Sequence, residues 1–161
     1  MEGIFLLLGS NMGNRQKVLV KAIESLENNG ITILKKSSVY ETAAWGKTDQ
    51  QAFLNQVLQV DTGHPPQKLL KLILAIELEL GRIRKAKWGE RLIDIDILYY
   101  HNFILKDDNL EIPHAGIPQR RFTLIPLVEI NPDLVHPTMY KSQQELLDNC
   151  KDDLEVSVFT S

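Results

Sequence analysis

Apolar residues run unbroken from Gly3 to Leu8 (GIFLLL), the pattern of a central strand. After Asn14 the period changes. Val18, Leu19, Ala22, Ile23 and Leu26 recur at helical spacing and stop before Gly30, which predicts a helix directly after the strand. Thr32 to Glu41 and Phe53 to Asp61 are both β-prone, with a polar loop containing Gly46 between them. Pro65 and Pro66 then open a second helix, with Leu69, Leu70, Ile73, Ile76 and Leu80 on its apolar side and Gly81 at its C-terminal end. Ile93 to Tyr100 reads as a fourth strand. The order βαββαβ predicts an α+β domain of ferredoxin-like type, spanning residues 1–161, with a C-terminal extension. Its sheet is expected to be antiparallel, with both helices packed on one face and the other face open for a site.

The last strand contains an oddity. Asp94 and Asp96 sit two residues apart in a run otherwise made of Ile, Leu and Tyr. Residues two apart on a strand point the same way, so Ile93, Ile95, Ile97 and Tyr99 are expected to face the helices, and Asp94 and Asp96 the open side. In the third strand, with Leu54, Leu58 and Val60 inward, Phe53 and Asn55 turn outward. An aromatic ring, an amide and two carboxylates would then share one surface.

Two carboxylates held together repel, so a shared proton, a basic neighbour or a metal must offset them. Mg²⁺ suits the pattern best, because it takes hard oxygen ligands and is usually held by one or two carboxylates together with substrate phosphates. A D-x-D pair alone is more often a solvated face with surface ion pairs. The stretch just upstream changes that balance. GRIRKAKWGER, Gly81 to Arg91, is a dense basic cluster carrying Arg82, Arg84, Lys85, Lys87 and Arg91 around Trp88. Taken alone, it too reads as a solvated loop. Beside a two-carboxylate strand, arginine forks matched to phosphate oxygens point to phosphoryl transfer. No GxxxxGK[ST] loop is present, and Gly9 to Asn14 lacks the lysine and the spacing to replace one.

Composition narrows the rest. With 161 residues the chain can bury about two thirds of its unfolded surface without crosslinks. Cys150 is the only cysteine, which fits a reducing compartment and excludes a Cys-rich zinc site. The apolar run Ile4 to Leu8 is too short for a secretory or membrane segment, so a cytoplasmic protein without a membrane partner is expected. A net charge of -3 argues against a general nucleic-acid binder.

LLLGSNMGNR, the threonine loop Thr42 to Gly46, FLNQV, IELELGRIRKAKWGERLIDIDIL, IPH and RRFTLIPLVEINP follow one another in that order. In these motifs the chain resembles the 6-hydroxymethyl-7,8-dihydropterin pyrophosphokinases (HPPK) of folate biosynthesis. The combination of G-R-x-R, W-G-x-R and D-x-D at close spacing with a downstream P-H and R-x-F is the most specific part of the likeness.

The resemblance implies transfer of the terminal pyrophosphoryl group of ATP to the hydroxymethyl oxygen of the pterin, releasing AMP. It implies two Mg²⁺ ions held by Asp94 and Asp96. Arg82 and Arg91 match arginines that contact the phosphates and assist catalysis, while Arg84, Trp88 and His114 match the nucleotide site and its closing loop. Glu77, Ile97 and Arg120 match the ATP side. Phe53 and Phe122 would sandwich the pterin, Asn55 would pair with its edge, and Thr42 with Ala43 and Trp45 would cover the remainder. A flat polar heterocycle wants such aromatic faces and a fixed amide at its rim. The chain departs from many relatives in Phe53, where tyrosine is frequent, in TAAWG, where prolines are common, and in Ala115, where an aromatic is frequent. A monomer acting on small molecules is expected. Two other classes share parts of the pattern: a ferredoxin-like RNA-binding module and a metal-dependent nucleotidyl transferase.

Overall fold

The computed structural model describes residues 3–43, 51–81 and 92–160. Strand β1 (Ile4–Ser10) is buried along its whole length and lies inside the sheet, paired on both sides. It pairs antiparallel with β4 (Phe53–Asp61) on one side and β5 (Asp94–Tyr100) on the other. Both of its faces are covered, which is why its sequence shows no polar alternation.

Helix α1 (Arg15–Asn28) follows, capped by Asn14, whose side chain accepts the Lys17 N–H at 3.1 Å. Helix α2 (Pro66–Glu79) has proline at its first positions, as the sequence predicts. Leu19, Ala22 and Leu26 of α1, and Leu69, Ile73 and Ile76 of α2, pack on the sheet face carrying Ile4, Leu6, Leu8, Leu54 and Leu58.

The β-prone stretch Thr32 to Glu41 is two strands, not one. β2 (Thr32–Lys36) and β3 (Tyr40–Thr42) both pair with β4. Between them the Ser37 hydroxyl accepts the Val57 N–H at 2.9 Å, standing in for a ladder carbonyl and bending the chain. Helix α3 (Arg121–Ile130) is tied to this bend through Glu129, whose carboxylate accepts from Ser38 N (2.9 Å), Ser38 Oγ (2.8 Å) and Tyr40 Oη (2.7 Å). Burial, reinforced by that carboxylate, pushes the Tyr40 phenol up to about 12.

The expectation of an open second face needs correction. Phe5, Leu7, Val57, Leu98 and Tyr99 pack there against Leu124 and Leu127 of α3, Leu134, and Leu146 of α4 (Gln143–Asp148). The cover belongs to the chain after residue 116, Ile117 included. Tyr99 is the second correction: it joins this face rather than the α1–α2 side. Phe5 pairs with Tyr99 and Leu6 with Ile97, so a bulge at Leu98 shifts the alternation, and Leu98 and Tyr99 both serve the second core. A hairpin of β6 (Leu105–Lys106) and β7 (Glu111–Ile112) extends beyond β5, and β8 (Val156–Val158) adds to the outer edge of β3. Among the described residues, no helix is long and apolar enough to cross a membrane.

The link from α3 to α4 depends on His136, which is 5% exposed and lies edge-on to Tyr99 at 5.7 Å. Its Nδ1 accepts the backbone N–H of Met139 at 3.2 Å and of Thr138 at 3.3 Å, roles that need an unprotonated nitrogen. Burial lowers the native pKa, whereas the unfolded imidazole titrates near 6.5. Its contribution is therefore full above about pH 6.5 and declines as pH falls below that value toward the native pKa. Urea unfolding as a function of pH should show His136→Ala about 1–3 kcal/mol less stable than wild type at pH 7, with the gap narrowing toward pH 5.

Candidate functional site

The cross-strand register assembles the site. Gly9 of β1 faces Asn55 on one side and Asp94 on the other, and Leu7 faces Asp96. Phe53 faces Thr42 at the end of β3. These positions share the sheet's second face at the end where the α3–α4 cover stops. There they line a cavity of about 240 Å³, closed by Ala43, by Arg120 and Phe122 at the start of α3, and by Leu154 from the tail. Alternation thus places Phe53, Asn55, Asp94 and Asp96 together, as the sequence predicts.

Gly9 makes the floor. A Cβ there would sit 2.8 Å from Asn55 Nδ2, which donates to the Leu8 carbonyl at 3.3 Å. Asn55 is 5% exposed and so held in a fixed pose. Thr42 is 3% exposed, and its Oγ1 has no hydrogen-bond partner among the described residues. A buried hydroxyl left unpaired costs free energy unless a ligand satisfies it. The Arg120 guanidinium lies 5.8 Å from the centre of the Phe122 ring and rests on Gly116, where a Cβ would come within 2.7 Å of it. Arg120 therefore stiffens the aromatic wall by a cation–π contact. The resemblance places it on the nucleotide side; here it borders the aromatic cavity.

A second cavity, about 350 Å³, lies across β5. Ile97, Asp107, Asp108, Glu111, His114 and Ala115 line it, and Asp96 borders both cavities. His114 is fixed to β5 by its backbone N–H, 3.0 Å from the Leu98 carbonyl, and its Nδ1 accepts the Gly116 N–H at 3.0 Å. In the neutral ring the proton then resides on Nε2, a donor for an anionic ligand. Glu77, 4% exposed on α2, accepts the Ile95 N–H at 2.7 Å through Oε2. Since β5 is a sheet edge, that carboxylate satisfies an otherwise open backbone donor midway between the two aspartates. Arg82, Arg84, Trp88, Arg91 and Trp45 lie outside the described residues.

An aromatic-walled slot and a second cleft that meet at Asp96, one of a carboxylate pair, suit a flat ring on one side and a phosphate chain on the other. Known proteins agree. Residues 5–132 match the model of the 7,8-dihydro-6-hydroxymethylpterin-pyrophosphokinase family. The chain belongs to this family. It is 44% identical over 136 residues to the 2-amino-4-hydroxy-6-hydroxymethyldihydropteridine pyrophosphokinase of Methylorubrum extorquens, covering 84% of this chain and 86% of that one. With the Aquifex aeolicus protein of the same name, identity is 44% over 145 residues, 90% of each chain. Among solved structures, Plasmodium falciparum HPPK-DHPS wild type with pteroate superposes with a TM-score of 0.73 at 17% identity. That likeness concerns the fold, and covers 91% of this chain and 42% of the longer one. As a pyrophosphokinase of this family, the chain transfers pyrophosphate from ATP to the hydroxymethyl group of 6-hydroxymethyl-7,8-dihydropterin and releases AMP, a step of folate biosynthesis. The RNA-binding and nucleotidyl-transferase readings give way to it.

Sequence reasoning missed Gly9, Leu7 and Leu154 as lining residues, and the acidic 107–111 loop. Gly9 could have been found from the pairing of β1 with Asn55, whereas Leu154 carries no periodic signal. Gly9→Ala should raise the pterin dissociation constant by about tenfold or more while leaving that of ATP near wild type, because the new methyl displaces the Asn55 amide. Calorimetric titration with each ligand checks this.

Proposed function

We propose that the two cavities divide the substrates of the pyrophosphokinase reaction between them. The pterin stacks between Phe53 and Phe122, its polar edge meeting the Asn55 amide, the Thr42 hydroxyl and the backbone around Ala43. The Thr42 Oγ1, without a partner among the described residues, supports this, as does a cavity otherwise lined mainly by carbon. ATP occupies the cleft across β5, with His114 Nε2 donating to it and its phosphate chain reaching Asp96. The observation that carries the reading is Asp96 bordering both cavities.

The carboxylates fit divalent metal. They project from alternate positions of one strand, are half-buried at the cavity mouth, and Asp96 has no ion-pair partner among the described residues. Residues two apart on a strand lie about 6.6 Å apart. At an effective dielectric constant of about 20, two full charges at that separation repel by about 2–3 kcal/mol. Two Mg²⁺ ions bound by Asp94 and Asp96 would offset that repulsion and neutralise charge on the transferring phosphates.

The chain's own residues then act by placement. The stacked ring aims its hydroxymethyl oxygen at the β-phosphorus; as that O–P bond forms, the hydroxyl proton passes to solvent and the bond from the β-phosphorus to the oxygen bridging it to the α-phosphorus breaks. AMP leaves with the bridging oxygen. Such transfers depend on alignment and charge stabilisation more than on covalent help from the protein. Arg82 and Arg91 supply further positive charge for the phosphate oxygens, and Arg84 with Trp88 contacts the nucleotide.

Incubation with ATP, Mg²⁺ and the hydroxymethyl dihydropterin should release AMP and not pyrophosphate. Asp94→Ala and Asp96→Ala should each lower kcat by at least about 100-fold with little loss of stability, since removing one of two repelling charges relieves the folded state. Phe122→Ala should instead weaken pterin binding by about 5- to 50-fold with a smaller effect on kcat. Unfolded aspartate variants, or unchanged turnover, would contradict these assignments.

A further inference from the structure

One wall of the aromatic cavity lies beyond residue 132, where the match to the family model ends. Leu154 lines that cavity, and three sets of contacts seat it there. Asp152 comes first. Its Oδ2 accepts the Arg121 N–H at 3.0 Å, and its Oδ1 accepts the Leu154 N–H at 3.0 Å. β8 then pairs with β3, Val156 facing Thr42, itself a lining residue. Finally the Phe159 N–H donates to the Val39 carbonyl at 2.8 Å, and the Phe159 ring lies 5.5 Å from the Arg15 guanidinium.

The Asp152 contact has a second meaning. Helix α3 begins after Arg120, which gives it no side-chain cap. The first N–H groups of a helix need acceptors, and a carboxylate is a favourable one at that end. Asp152 supplies it from the tail, one residue before Phe122. One carboxylate thus joins the two apolar walls, Phe122 on α3 and Leu154 on the tail.

We infer that the 152–159 segment is a working wall of the pterin pocket, in which Leu154 contacts the ring and tunes its affinity, and Asp152 is a positioning residue that registers Leu154 against Phe122. This rests on the assignment of the aromatic cavity to the pterin. A tail that merely braced the sheet edge would affect stability, not ligand preference.

The test uses the full chain with Mg²⁺ and a non-hydrolysable ATP analogue, titrated with 6-hydroxymethylpterin; nucleotide affinity and Tm are measured separately. Leu154→Ala should weaken pterin binding by about 3- to 10-fold and leave nucleotide binding within about twofold of wild type. Leu154→Met should restore it. Asp152→Ala should reproduce the pterin defect, and Asp152→Asn, which keeps one acceptor, should show a smaller one. Pterin affinity unchanged in Leu154→Ala, a parallel loss of both ligands, or a lowered Tm in Asp152→Ala with intact pterin affinity would overturn the inference alone. A wild-type chain that binds nucleotide but no pterin would overturn the cavity assignment, and this inference with it.

Discussion

Everything at the site depends on β1 being paired on both sides. Its ladders to β4 and β5 fix one row in which Asn55, Gly9 and Asp94 are neighbours, and a second in which Val57, Leu7 and Asp96 are neighbours. Because side chains alternate with a period of two, a slip by a single residue of β5 would bury the carboxylates under α1 and α2 and expose the isoleucines, and the same slip of β4 would turn Phe53 and Asn55 away from the cavity. The hydrophobic core therefore enforces the chemistry: Ile93, Ile95 and Ile97 are 1–4% exposed, and their burial dictates where Asp94 and Asp96 point.

The sheet's two faces serve different ends. One is sealed by α1 and α2 along its length. The other is sealed by α3 and α4 near Phe5 and Tyr99 and left uncovered beyond Leu7, and this partial cover creates a cavity instead of a flat surface. Phe122 shows the economy of the arrangement, since it packs beside the second core and also walls the cavity. The backbone near the carboxylates is braced by Glu77, so the edge strand that carries them does not present an open donor at Ile95.

Much of this was legible in the sequence. An unbroken apolar run located β1, helical spacing located α1 and α2, β-prone composition located β4 and β5, and parity put Phe53, Asn55, Asp94 and Asp96 on one surface. Parity failed at Tyr99, because a bulge at Leu98 is a tertiary accommodation with no local mark. The split between β2 and β3 turns on one serine hydroxyl replacing a carbonyl, which propensity does not register. Residues 121–130 were legible as a motif but not as cover for the second face, since Pro126 inside the segment argues against a helix on local grounds. Leu154 reaches the cavity through the hydrogen bonds of Asp152 and the pairing of β8, neither of which leaves a periodic trace.

The most direct test of the central claim is a crystal structure with Mn²⁺ in place of Mg²⁺, a non-hydrolysable ATP analogue and the pterin, with the metal located by its anomalous signal. Metal density should fall between the Asp94 and Asp96 carboxylates and the phosphate chain, with the ring between Phe53 and Phe122. Density confined elsewhere, with both aspartates engaged by lysine or arginine side chains away from the phosphates, would contradict the account.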